Sequence, residues 1–98
     1  MKTALALTAF LLAHGDAAWI MSEPSFIAPS GTHCCGPSDC ERMPTEVRKR
    51  LKQIEGGWEL DGVTFRYGER GMYHSIDSDW WWCRIGTPRC LFEPNVGA

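Results

Sequence analysis

With 98 residues, 44% of them hydrophobic, and a formal net charge of −2, the chain holds one domain at most. Acidic and basic residues are interspersed, which excludes the long basic tract of a nucleic-acid-binding protein. Five cysteines in so short a chain, at Cys34, Cys35, Cys40, Cys83 and Cys90, point to a disulfide framework laid down in an oxidising compartment.

Residues 1–17 read as a secretion signal. Met1-Lys2 precedes an apolar run over residues 4–13, broken only by Thr8. Ala13-His14-Gly15 and Gly15-Asp16-Ala17 both fit a small-x-small cleavage site. The run is shorter than the roughly 20 apolar residues a membrane span needs. The alternatives are an N-terminal helix packed on the domain, a retained anchor, or initiation at Met21. Residues 18–32, with Pro24 and Pro29 among small residues, read as an extended leader. Residues 33–94 read as one small domain, of a size at which disulfides ordinarily supplement a limited core.

Within the domain, His33 to Cys40 is a tight loop, because Gly36-Pro37-Ser38-Asp39 is dense in turn residues. Pro44-Thr45-Glu46 opens the one expected helix: Val47, Leu51 and Ile54 recur on one helical face, and Gly56-Gly57 closes it. The basic residues Arg48, Lys49, Arg50 and Lys52 are expected on its solvated side. Asp61-Gly62 is a two-residue hairpin signal between Trp58-Glu59-Leu60 and the strand beginning at Val63. Short strands follow at Met72 to Ser75, Trp80 to Ile85 and Arg89 to Phe92, the last two joined by Gly86-Thr87-Pro88. The expected fold is α+β: a disulfide-stapled antiparallel sheet or open barrel of about five strands, with one short helix after the cysteine loop.

Proline cannot donate to a ladder, so Pro88 is expected inside a three-residue loop, which turns Cys83 and Cys90 to opposite faces. At least one bond should then run from the N-terminal cysteine cluster to Cys83 or Cys90; a local Cys83–Cys90 bridge is the alternative. The odd count leaves one cysteine unpaired in a monomer.

The run Cys34-Cys35-Gly36-Pro37-Ser38-Asp39-Cys40 resembles the CC-x4-C opening of a group of small secreted alphaproteobacterial proteins. Ser75-Ile76-Asp77, Trp80-Trp81-Trp82-Cys83 and Cys90-Leu91-Phe92-Glu93-Pro94 resemble that group's second half, including its C-x6-C spacing. The resemblance implies a periplasmic or secreted address and a shared fold; it implies no activity.

Trp80 and Trp82 alternate with Trp81 and Cys83 along a strand, so Trp80 and Trp82 form a candidate binding face, partly exposed, while Trp81 lies with the staples. Exposed indoles suit sugars, peptides and other apolar groups. The competing reading is that all three tryptophans fill the core. His33, Cys34, Cys35, Cys40 and His74 carry soft-metal donors, but without C-x2-C spacing disulfides are the simpler use of these sulfurs. Glu69, His74, Asp77 and Asp79 could be grouped as acid–base residues, yet no catalytic spacing joins them.

The leading expectation is therefore a secreted or periplasmic non-enzymatic module that binds an envelope peptide, glycan or protein, without a cofactor, nucleic acid or stable membrane insertion. The alternatives are a soft-metal or thiol-active protein using the Cys34–Cys40 segment, and an exported effector or inhibitor.

Overall fold

The computed structural model describes residues 17–34 and 39–95. The expected signal, Ala17 apart, and Cys35 lie outside them. Two one-turn helices occur among the described residues, α1 (Ala18–Met21) and α2 (Thr45–Arg48). Seven strands accompany them: β1 (Cys40–Arg42), β2 (Lys52–Ile54), β3 (Gly57–Leu60), β4 (Val63–Arg66), β5 (Met72–His74), β6 (Trp81–Ile85) and β7 (Thr87–Glu93). They form a four-stranded sheet in the order β1-β6-β7-β5 and a three-stranded sheet in the order β2-β3-β4. The fold is mainly β in two open sheets, rather than the α+β sheet or barrel of five strands expected from sequence.

The β3–β4 hairpin forms as its sequence predicts. Leu60 pairs with Val63, and Asp61 and Gly62 both take positive φ, 50° and 85°, as a tight primed turn demands. Gly57 is needed for a different reason: a Cβ there would collide with the Phe65 carbonyl oxygen across the ladder.

The helix expected over residues 45–56 stops after one turn. Lys52, Gln53 and Ile54 instead pair with Glu59, Trp58 and Gly57. A helix nucleus is costly and one so short depends on packing, whereas β3 offers a ready ladder. Gly56, read from sequence as a helix cap, is the positive-φ residue (78°) of the β2–β3 turn.

The two faces of the four-stranded sheet build two separate cores. On the first, Trp81, Cys83, Cys90 and Phe92 are buried beneath residues 17–34, which contribute Ala17, Ile20, Ala28 and Cys34. On the second, Trp80, Trp82, Leu91 and Met72 pack against Val47, Leu60 and Phe65. The molecule is thus layered, with the four-stranded sheet in the middle. This overturns the expectation of an extended leader over residues 18–32. Ile20 is fully buried, Ile27 bridges to His33, and the Tyr73 hydroxyl accepts from Ile27 N–H at 2.9 Å and donates to its carbonyl at 2.7 Å. The prolines that suggest an extended leader sit in a segment held by residues far along the chain, so local composition does not report its packing.

Two disulfides are present: one fixes this cover to the sheet, and the other links β1 to β6 within the sheet. Cys34 bonds to Cys90 and Cys40 to Cys83, across 56 and 43 residues. The expected bond from the N-terminal cluster to the second pair is present twice over. The expected loop register is not: Cys83 and Cys90 are direct cross-strand partners on one face. Gly86 alone reverses the chain between Ile85 and Thr87, Pro88 lies within β7, and a bulge beside Cys83 absorbs the odd residue.

Candidate functional site

A cleft of about 340 Å³ opens between the end of β1, α2 and the bend that precedes β6. Its walls are Arg42 and Met43 from β1 and its exit, Thr45, Arg48 and Lys49 from α2 and its exit, and Ser78, Asp79 and Trp80 from the bend. Local structure sets these positions. Met43 N–H donates to the Trp80 carbonyl at 2.9 Å, joining the β1 exit to the bend. Val47 buries one side of α2 against the second core, which leaves Arg48 and Lys49 exposed.

The bend is a hydrogen-bonded unit. Asp77 Oδ1 accepts from Asp79 N–H and from the Trp81 indole N–H, both at 3.0 Å. The buried Ser75 hydroxyl donates to the Asp77 carbonyl at 2.7 Å. Arg42 Nη1 reaches Asp77 Oδ2 at 3.0 Å and also bonds Asp79 Oδ2. Burial pushes the Asp77 carboxyl upward, but the hydrogen bonds from Asp79 and Trp81 and the Arg42 charge outweigh it and hold the group below its ordinary value. The Arg42 guanidinium also lies over the Trp81 ring, 4.6 Å from its centroid. An arginine on the cleft wall is therefore locked by two carboxylates and an indole face.

The sequence-derived site residues fare unevenly. Trp80 and Trp82 do share a face, and Trp81 does lie with Cys83. The partly exposed platform is overturned, however, since Trp80 and Trp82 are only 6% and 2% exposed. Trp80 packs edge-to-face on Trp58 with centroids 4.8 Å apart. Trp82 donates its indole N–H to Glu41 at 3.0 Å. Both sit between the two sheets because β2-β3-β4 covers them, a tertiary fact that strand alternation does not contain. Trp80 is nonetheless among the residues that line the cleft.

Of the soft-metal alternative His33, Cys34, Cys35, Cys40 and His74, two sulfurs are already in disulfides. His33 Nε2–H donates to the Glu23 carbonyl at 2.8 Å, and His74 lies on β5 beside Glu93. Of the acid–base grouping, only Asp77 and Asp79 are brought together, through Arg42; no hydrogen bond or ion pair among the described residues joins Glu69 or His74 to them. Arg42, Thr45 and Ser78 do not stand out in the sequence as binding residues, and Arg48 and Lys49 read there as the solvated side of a longer helix, of which one turn forms with both residues exposed. The basic run was the available signal.

A second, shallower cleft of about 250 Å³ lies between Pro29, Val63, Ile85 and Pro88, and Ile85 is largely exposed at its rim. Comparison with protein-family models, curated proteins and solved structures finds no match for this chain.

Proposed function

We propose that this protein is an exported, disulfide-stapled module that acts by binding rather than catalysis, with the cleft beside α2 as its binding surface. The observation that carries the reading is the pairing of the cysteines. Both bonds close long loops, one tying residues 17–34 to the sheet through Cys34 and the other clipping β1 to β6 within it, an arrangement suited to an oxidising compartment and lost in a reducing one. The cysteine spacing that resembles small secreted proteins supports the same address. An envelope peptide, glycan or protein remains the expected class of partner, now through the cleft rather than an open tryptophan face.

Of the two cleavage sites, we propose the one after Gly15. Ala17 is buried and its carbonyl accepts from Ile20 and Met21 N–H. Cleavage after Gly15 retains it; cleavage after Ala17 removes it. Expression of the full chain in a Gram-negative host, followed by fractionation, N-terminal mass spectrometry and thiol counting, tests the proposal. A periplasmic product beginning at Asp16 with Cys34, Cys40, Cys83 and Cys90 oxidised is expected. A cytoplasmic product with those four thiols free would overturn it.

A further inference from the structure

Resting on the reading of the cleft as a binding surface, we infer its ligand class: the cleft takes an organic anion, a carboxylate or phosphate group carried on a small apolar body. The charge arrangement is the starting point. Asp79, the acidic residue of the cleft wall, is already bonded by Arg42, and so is the neighbouring Asp77. Among the described residues, Arg48 and Lys49 have no side-chain ion pair or hydrogen bond. The wall thus presents two uncompensated positive charges in a protein whose formal charge is −2 overall.

Arg42 lines the same cleft. Its two carboxylate contacts use Nη1 alone; Nε and Nη2 have no partner among the described residues. A guanidinium carries five N–H donors in a fixed fork, so this arginine keeps most of its donors while being held in place by Asp77, Asp79 and the Trp81 ring. Holding a donor rigid before the ligand arrives removes an ordering cost from binding. The Thr45 and Ser78 hydroxyls supply further donors on opposite sides of the cleft, while Met43 and the accessible part of Trp80 give it an apolar flank. The volume, about 340 Å³, lies at the lower end of small-molecule sites. It has room for an anionic head and a small body.

The test uses the oxidised mature protein, ¹⁵N-labelled and followed by NMR, with three probes: benzoate, phenyl phosphate and the neutral benzyl alcohol. Saturable shifts at the amides of Thr45, Arg48, Lys49 and Ser78 and at the Trp80 indole N–H, from either anion and not from the alcohol, are expected. The tighter of the two anions distinguishes a carboxylate ligand from a phosphate one. The double variant Arg48→Gln/Lys49→Gln should weaken binding by about tenfold or more, with an unchanged melting temperature. Lys52→Gln, equally basic and outside the cleft wall, should leave binding as it is. Equal shifts from the alcohol would show a cleft that binds without selecting charge, and would overturn the anion assignment while sparing the binding reading. Shifts that do not saturate and extend to Lys52 and Arg66, or equal losses from Lys52→Gln, would reduce the effect to general charge screening and overturn it too. A folded protein silent toward all three probes overturns the anion assignment; the export reading stands or falls separately on fractionation and thiol counting.

Discussion

The two covers of the central sheet are built on opposite plans. The N-terminal cover, residues 17–34, has one helical turn and one isolated bridge of its own. It is held by what it touches: the Cys34–Cys90 bond, the Tyr73 hydroxyl, and Arg89, whose guanidinium donates to the His33 carbonyl at 3.1 Å and to the Thr32 hydroxyl. The opposite cover, β2-β3-β4, satisfies its backbone in its own ladder. It meets the central sheet through side chains, including Trp58 and Tyr67, which converge on Glu93 at 3.3 and 2.9 Å. A segment with so little internal structure gains its order from covalent and side-chain ties, and a hairpin sheet depends on them less. This explains why the Cys34–Cys90 bond joins that cover to the sheet, whereas Cys40–Cys83 clips β1 to β6 within the sheet itself.

The largest expected effect follows directly. Each bond closes a loop long enough that the chain-entropy argument assigns it about 4 kcal/mol. Loss of Cys34–Cys90 in a Cys34→Ser/Cys90→Ser variant should therefore destabilise severely. Amide exchange should rise first in residues 17–34 and later, or less, in residues 52–66. Equal exchange in both covers, or an unchanged melting temperature after full reduction, would break the contrast.

Next come equivalent deletions on the two faces. Phe92 and Phe65 are almost equally buried, one in each core. Phe92→Ala and Phe65→Ala should each cost about 3–5 kcal/mol. The sharper reading is local: native-state exchange should increase in the N-terminal cover for Phe92→Ala and in β2-β3-β4 for Phe65→Ala. If both variants loosen both covers alike, the layers unfold as one unit and the difference in plan has no dynamic counterpart.

The same contrast governs how much was legible beforehand. Turns whose residues force the backbone were readable: Asp61-Gly62 gave its hairpin because both positions need positive φ. Val47, Leu51 and Ile54 misled, since that spacing fits a helix face as well as a turn leading into a strand, and Gly56 suits either ending. Sheet order, the register set by the bulge beside Cys83, and the burial of Trp80 and Trp82 depend on partners tens of residues away. The cleft was illegible for the same reason. Its cations come from a basic run visible in the sequence, but Arg42 and the Ser78–Trp80 wall reach it only through the β1–β6 pairing.

A smaller effect is expected in acid. Asp77, with its Trp81 bond in the first core, and Asp61, paired with Arg50 on the opposite hairpin, both have carboxyls held below their ordinary value. A lowered carboxyl contributes stability that is present above the unfolded value, near pH 4, and lost as pH falls through the folded value. Urea midpoints measured from neutral pH downward should thus fall in acid, and Asp77→Asn should flatten that fall more than Asp61→Asn. The Arg50–Asp61 pair is exposed on both sides, so salt should weaken its share. A larger flattening from Asp61→Asn, persisting in high salt, would reverse the ranking.

The smallest effect should come from one ring in the N-terminal cover. Trp19 packs edge-to-face on Phe26, Trp81 and Phe92, with centroids 5.8, 5.5 and 5.2 Å away. Its indole N–H is buried and has no hydrogen-bond partner among the described residues. Trp81, its neighbour across the core, gives its own indole N–H to Asp77 at 3.0 Å. Trp19→Phe keeps an aromatic ring and removes an unsatisfied donor, so the volume lost is offset by relief of a desolvation penalty of about 1–3 kcal/mol. Trp81→Phe loses comparable volume and also strips a bond from the Asp77 bend that holds Arg42. The change in Tm for Trp19→Phe should therefore be slight and that for Trp81→Phe clearly larger, although both rings lie in the same cluster. Equal losses would mean that ring volume alone sets the stability of this face. A larger loss for Trp19→Phe would mean that its N–H has a partner in the folded protein.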